Sequence, residues 1–204
     1  MRRRAAAAAL ALAAATALGG AAELDCLAQS EAIEEKGPHG KQARFREFLA
    51  QVHEYDQLRA AARSGVPDAG KKATAEQLEK HKTTLAEKIQ AARKEAKPGD
   101  IFTPDSQRAF RRAIEKAHSG KSAAKIDRTI AQGEPVKLEL YVNKPYPEKI
   151  PITTVPPTLL QHFPKLPKKI EYRVVGDDLV LEDTESNLVI DIFPGAFPNA
   201  PPHT

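Results

Sequence analysis

Residues 170–193, which read IEYRVVGDDLVLEDTESNLVIDIF, constrain the fold more than any other stretch of the chain. They contain three short runs of β-forming residues, separated by the turn-forming segments GDD and DTESN. In the first run Ile170, Tyr172 and Val174 alternate with charged residues, which is the period of a half-buried strand. The stretch therefore predicts a meander of antiparallel strands.

The other two runs repeat this alternation. Leu179 and Leu181 lie opposite Val180 and Glu182, and Leu188, Ile190 and Ile192 share a face across from Asp191. Residues 136–142 alternate in the same way and could add a strand. We predict a small sheet of three or four strands, apolar on one face only, which needs a cover.

The preceding residues supply that cover as amphipathic helices. Residues 41–64 carry apolar residues at three- and four-residue spacing. Residues 74–96 begin with Thr74 and Gln77 in a capping-box pattern, and Thr103-Pro104 is a strong start for a third helix. Residues 122–132 predict a short fourth helix. The predicted fold class is α+β, with a helical hairpin and shorter helices before the sheet.

The rest of the mature chain divides by composition. Residues 23–40 predict a flexible N-terminus, 41–133 the helical region, and 134–193 the β region. Within the β region, residues 143–169 include seven prolines and predict an ordered connector, with Leu159, Leu160 and Phe163 as candidate apolar plugs. Residues 194–204 predict an extended, frayed tail.

The first 22 residues resemble a cleavable signal peptide. Three arginines at positions 2–4 precede an alanine-rich apolar run, and small residues stand before Glu23. The sequence thus predicts an exported protein, periplasmic or secreted, with membrane contact only if the segment stays uncleaved. The single Cys26 allows no internal disulfide, and Leu24-Asp25 before it do not fit a lipidation motif.

Charge suggests where a partner would bind. Without the three signal arginines the chain has 28 basic and 27 acidic residues, but residues 36–133 hold 21 basic against 12 acidic. Within this half the third helix carries a basic stripe of Arg108, Arg111, Arg112 and Lys116. Behind a signal peptide, such a stripe favours lipid headgroups, an anionic cell-wall polymer or an acidic envelope protein over nucleic acid. A solvated face without a partner remains the plain alternative.

The motifs of catalysis and of cofactor binding are missing from the sequence. Gly120-Lys121-Ser122 resembles the end of a phosphate-binding loop, but the glycine required five residues earlier is Glu115, so no nucleotide is predicted. The six histidines show no ligand spacing, and the acidic turns of the meander lack the pattern of a calcium loop. No serine or cysteine stands in a nucleophile motif. We predict no catalytic, cofactor-binding or metal-binding residues.

Two segments are similar to segments of exported bacterial proteins without an assigned function: PGDIFTPDSQRAFRR, and the longer VPPTLLQHFPKLPKKIEYRVVGDDLVLEDTESNLVIDIFPGAFP. More distantly, Leu166-Pro167, Leu181 and the run 175–179 resemble the C-terminal hairpin of periplasmic nickel/cobalt-homeostasis proteins. Most of the aromatic residues expected around that hairpin are missing here, and no His-rich segment is present. The resemblance implies an exported α+β module and no metal.

These patterns favour a non-enzymatic envelope protein that binds through a basic helical face. Two alternatives stay open: a small periplasmic hydrolase with a site at the helix–sheet junction, and a metal-handling periplasmic protein. Converging acidic, histidine or serine side chains in a pocket would favour the hydrolase.

Overall fold

The computed structural model describes residues 40, 43–67, 70, 72–119, 124, 126, 130, 140–147 and 155–197. The helices are α1 (Arg46–Ser64), α2 (Ala75–Ala92), α3 (Pro104–His118) and the one-turn α4 (Pro157–Leu160). The strands are β1 (Ile170–Val175), β2 (Asp178–Asp183) and β3 (Leu188–Phe193). The α+β class is confirmed, with helices first and an antiparallel sheet near the C-terminus. The predicted signal segment (residues 1–22) and the predicted flexible N-terminus up to residue 39, with Cys26, lie outside the described residues.

The predicted helix starts are confirmed at α2 and α3. Thr74 and Gln77 cap α2 reciprocally, and Thr103 precedes Pro104 at the start of α3. α2 ends at Ala92, four residues before the predicted end. The Nδ2 amide of Asn143 donates to the carbonyls of Gln90 at 3.3 Å and Arg93 at 2.9 Å, and so satisfies carbonyl groups that the helix leaves free at its end.

The three strands form a meander in the order β1-β2-β3. A two-residue turn joins β1 to β2, and Gly176 adopts the positive φ of 57° that such a turn requires. Between β2 and β3, Leu181 pairs with Asp191 but the next residue, Glu182, pairs with Val189. Ile190 is therefore an extra residue, and the strand carries a bulge.

Because of the bulge, the predicted assignment of β3 residues to the two faces of the sheet is wrong. We expected Leu188, Ile190 and Ile192 to share one face, but the extra residue turns the strand over at Ile190. Ile192 packs with Val180 on the far side of the sheet, and Asp191 lies with Leu181 on the side of the helices. Strict alternation could not show this, because a bulge breaks the period of two.

The prediction of a sheet with one apolar face is also wrong, since every residue of β2 and β3 is buried. Helices α1, α2 and α3 pack on one face. The other face has its own apolar cluster of Val142, Tyr146, Val175, Val180, Val189 and Ile192. The sequence pattern missed it because Arg173 and Glu182 lie on the same face, where their side chains form a buried ion pair (Nε to Oε2, 2.6 Å).

The core between the helices and the sheet is built on aromatic rings. All seven phenylalanines are buried, and Phe110 of α3 stands at their centre. Its ring centroid lies 4.8 Å from Phe45, 4.9 Å from Phe48 and Phe163, and 5.9 Å from Tyr172 of β1. The contacts with Phe48, Phe163 and Tyr172 are edge-to-face, and such contacts add to the free energy gained by burying the rings. They fix α3 to the sheet.

Asp191 ties the α2–α3 loop to β3. This carboxylate is fully buried, and its Oδ1 accepts hydrogen bonds from the N–H groups of Gly99 and Ile192, both at 2.8 Å. Its Oδ2 accepts from Ile101 at 2.8 Å and Phe102 at 2.7 Å. Burial raises the pKa of Asp191, while the four N–H groups oppose that shift. The carboxylate thus accepts hydrogen bonds from three N–H groups of the α2–α3 loop, and two of these, from Ile101 and Phe102, are buried.

The free edge of β3 is partly covered by residues 143–146. The N–H groups of Asn143 and Tyr146 donate to Val189 and Asn187, and Val189 donates back to Lys144. Residues 140–142, the described end of the predicted fourth strand, do not form a strand. The contacts with β3 come instead from residues 143–146, which include an isolated bridge between Pro145 and Leu188. Residues 131–139 lie outside the described residues.

The tail and the connector differ in detail from the predictions. The N–H of Phe197 donates to Asp177 at 2.9 Å, and Ala196 and Phe197 are buried, so a frayed tail does not describe residues 194–197. Leu159 and Phe163 fill the core as expected, but Leu160 is 41% exposed. Of the predicted fourth helix, only residues 124, 126 and 130 are described, and they are helical.

Candidate functional site

The predicted basic residues share the solvent face of α3. Arg108, Arg111, Arg112 and Lys116 are all exposed, whereas the opposite face is buried against the aromatic core. The spacing of three and four residues places basic side chains side by side along the helix. The packing of α3 on the sheet presents this basic face on a rigid element.

Two members of the basic face already have partners within the chain. Arg108 forms an ion pair with Asp105. The guanidinium of Arg111 lies 4.8 Å from the ring centroid of Phe193 and donates to the Gly195 carbonyl at 3.1 Å. Arg112 and Lys116 are therefore the members with the most freedom to meet a partner.

A second group of charged residues joins α1, α2 and the β2–β3 turn. We call it the junction cluster; it consists of Tyr55, Arg59, His81, Asp183 and Glu185. Asp183 is fully buried at the end of β2. Its Oδ1 accepts the N–H groups of Glu185 at 2.9 Å and Ser186 at 3.2 Å, as an Asp at the start of a turn commonly does.

The other carboxylate oxygen of Asp183 faces α1. Its Oδ2 accepts the Tyr55 hydroxyl at 2.9 Å and forms an ion pair with Arg59 Nε at 3.0 Å. Burial, and then the neighbouring Asp183, raise the pKa of Tyr55 well above its usual value. The tyrosine therefore stays protonated and remains a donor to the carboxylate.

Glu185 is shared by three cationic or basic side chains. It pairs with the guanidinium of Arg59, with Arg63 Nε at 3.0 Å and with His81 Nε2 at 3.3 Å. The second ring nitrogen of His81, Nδ1, lies 2.9 Å from the Pro67 carbonyl. Both ring nitrogens of His81 therefore lie within hydrogen-bond distance of an oxygen.

The two carboxylates of the junction cluster are engaged by partners within the chain. Every carboxylate oxygen has at least one partner within the cluster or the turn, and Asp183 has no exposed surface. A general acid or base must reach a proton on its substrate. These groups instead bind the helical hairpin of α1 and α2 to the sheet.

Next to the junction cluster lies an open cleft of about 400 Å³, here called the α2 cleft. Val66, Pro67 and Ala73 supply apolar surface, and Lys72, Lys80 and the buried His81 supply cationic or basic groups. No carboxylate lines it among the described residues. The cleft can take a small ligand but holds no catalytic constellation within the described part of the chain.

Some of the histidines, and the segment that resembles part of a phosphate-binding loop, for which the sequence predicts no site, are not described by the structure. His39, His203 and Gly120-Lys121-Ser122 lie outside the described residues. Among the residues that are described, no three His, Cys, Asp or Glu side chains come together in a way that could hold a metal ion. The junction cluster was missed because its members are far apart in sequence. Only Asp183 and Glu185, which lie within the predicted DTESN turn, offered a local signal.

The comparisons with known proteins add no relative to this picture. No protein-family model, curated protein or solved structure matches the chain. In the described part of the chain, no helix is both long and apolar enough to cross a membrane.

Proposed function

We propose that this is an exported, non-enzymatic binding protein of the bacterial envelope that engages an anionic partner through the basic face of α3. The observation that carries the proposal is the placement of Arg108, Arg111, Arg112 and Lys116 on one exposed helix face whose reverse side is anchored in the core. A fixed array of cations attracts an anionic polymer or an acidic protein without any rearrangement of the backbone.

Export is part of the proposal and rests on the basic and alanine-rich start of the sequence. An exported protein meets anionic polymers and acidic envelope proteins, so the export and the basic face support the same class of partner.

For the hydrolase alternative, a site was expected between the helices and the sheet. The junction cluster lies at this position. Its acidic side chains are held by Arg59, Arg63, Tyr55 and backbone N–H groups. This arrangement favours a structural role for the cluster, and hence a binding protein over an enzyme. The metal-handling alternative stays a prediction from the sequence.

The test is a binding titration of the mature chain against polyglutamate and polyphosphate at low and high salt. The variant Arg112→Glu/Lys116→Glu changes the two members of the face that are exposed and not held by Asp105 or Phe193. The matched control is Lys165→Glu/Lys168→Glu, which changes the net charge equally at exposed positions before the sheet.

We expect the α3 variant to weaken binding about tenfold at low salt and the control about twofold or less, because each surface ion pair is worth up to about 1 kcal/mol. High salt should abolish the difference. Equal losses in both variants would show that only net charge matters, and no binding of either polymer would reject the basic face as a site. Hydrolysis of an ester, peptide or glycosidic substrate by the purified chain would instead support the hydrolase.

A further inference from the structure

The α2 cleft is separate from the basic face and has its own chemistry. It lies where the α1–α2 connection meets the first turns of α2, and its volume of about 400 Å³ is in the range of small-ligand sites. Its described lining joins apolar side chains to two lysines and one buried histidine. This combination selects among ligands more narrowly than a flat basic surface does.

The charged and basic side chains among the described lining residues are Lys72, Lys80 and His81. Lys72 and Lys80 are exposed at its rim, and the carboxylate of Glu185 behind His81 is already paired with Arg59 and Arg63. A ligand carboxylate at the rim would therefore meet two ammonium groups. The apolar surface of Val66, Pro67 and Ala73 would remain to cover an apolar body.

We propose that the α2 cleft binds a small organic anion with one carboxylate and an apolar body. The two lysines attract the carboxylate, and the apolar wall removes the body from water. The proposal does not depend on the α3 face, since none of the lining residues belongs to α3.

Octanoate is a suitable probe because it has one carboxylate and a short apolar chain. Octanol matches its body without the charge, and acetate matches its charge without the body. We expect octanoate to bind at least about tenfold more tightly than either, with amide shift changes in an NMR titration concentrated at residues 66–84. The comparison separates the contribution of the carboxylate to the binding free energy from that of the apolar chain.

Gly70 allows a steric test of the location. A Cβ built at this exposed, cleft-lining glycine meets no atom within 4 Å, and its φ is not in the left-handed region. Gly70→Phe can therefore place a ring in the cleft without forcing the backbone to move. We expect it to weaken octanoate binding at least about tenfold. Lys72→Gln/Lys80→Gln should weaken binding about threefold to tenfold. Lys165→Gln, at an exposed position that does not line the cleft, should leave binding unchanged.

The outcomes decide the proposal in either direction. Octanoate binding that is lost in Gly70→Phe and weakened in the double lysine variant supports it. Failure of octanoate to bind at millimolar concentration overturns it, as does binding that the double lysine variant leaves unchanged. If Gly70→Phe alters the circular dichroism spectrum, the double lysine variant alone decides, because both of its positions are exposed. The α3 variant Arg112→Glu/Lys116→Glu should bind octanoate normally, so failure of the two proposals can be told apart.

Discussion

Replacing the buried carboxylate of Asp191 by the isosteric amide should destabilise the protein strongly. In Asp191→Asn, one carboxylate oxygen becomes an NH₂ group. That group would face two N–H donors, either those of Gly99 and Ile192 or those of Ile101 and Phe102. Two hydrogen bonds to a charged acceptor are lost, each worth about 1.5–3 kcal/mol. Shape and volume stay nearly the same, so the loss is electrostatic.

Part of this loss is returned, because the amide no longer carries a buried charge. Burial raises the pKa of Asp191, which shows that the ionised form costs free energy in this position. The net effect should be a decrease of about 2–4 kcal/mol in the free energy of unfolding, a large share of the roughly 5–15 kcal/mol typical of a domain.

Urea unfolding followed by circular dichroism measures this change. We expect the midpoint to fall with little change in the m-value. The control Glu87→Gln removes an exposed carboxylate from α2 and should change the free energy of unfolding by less than about 0.5 kcal/mol. If Asp191→Asn is as stable as the control, the carboxylate does not hold the α2–α3 loop and the reasoning fails.

Three further results are expected. Arg59→Met should cost about 3–5 kcal/mol in urea unfolding, because it leaves the buried Asp183 without its cation, and a loss below 1 kcal/mol would contradict the junction cluster. Phe110→Ala should cost about 3–5 kcal/mol by removing the ring at the centre of the aromatic core, with the exposed Leu78→Ala as a near-neutral control. In an ultraviolet titration Tyr146 should ionise near pH 12, because burial raises the pKa of its hydroxyl to about 12. An unfolded tyrosine loses its proton near pH 10, so the stability contributed by Tyr146 should fall as pH rises from about 10 through 12; ionisation at 10 in the folded protein would refute its burial.

Local sequence signals predicted much of this fold. The hydroxyl at Thr74 with Gln77, and the Thr103-Pro104 pair, act within one helical turn, so their structural effect is visible in the sequence. The Gly176 turn is equally local. The three strands of the meander follow from the same short-range rules.

Features that depend on long-range contacts could not be predicted in this way. The bulge at Ile190 shifts Asp191 to the side of the helices, and no residue near it in sequence announces the shift. Glu182 and Arg173 looked like a solvent face, but each is buried with the other as its ion-pair partner. Their charge led to the wrong prediction of exposure, because a charged side chain can be buried when it is paired with an opposite charge.

The candidate sites also differ in whether they depend on local or on long-range contacts. The basic face of α3 was readable because helical periodicity alone puts its four residues together. The α2 cleft and the junction cluster depend on how α1, α2 and the β2–β3 turn meet. Their members, such as Tyr55 and Asp183, are 128 residues apart.

Both proposed surfaces require the helices to be held firmly on the sheet, and a ring-to-ring measurement tests that claim most directly. Nuclear Overhauser effects should connect Phe110 of α3 with Tyr172 of β1 and with Phe163, whose ring centroids lie 5.9 and 4.9 Å away. Strong cross-peaks between these rings are the expected result. If these cross-peaks are absent and the Tyr172 ring is accessible to solvent, the helices do not cover the sheet. That result would contradict the account.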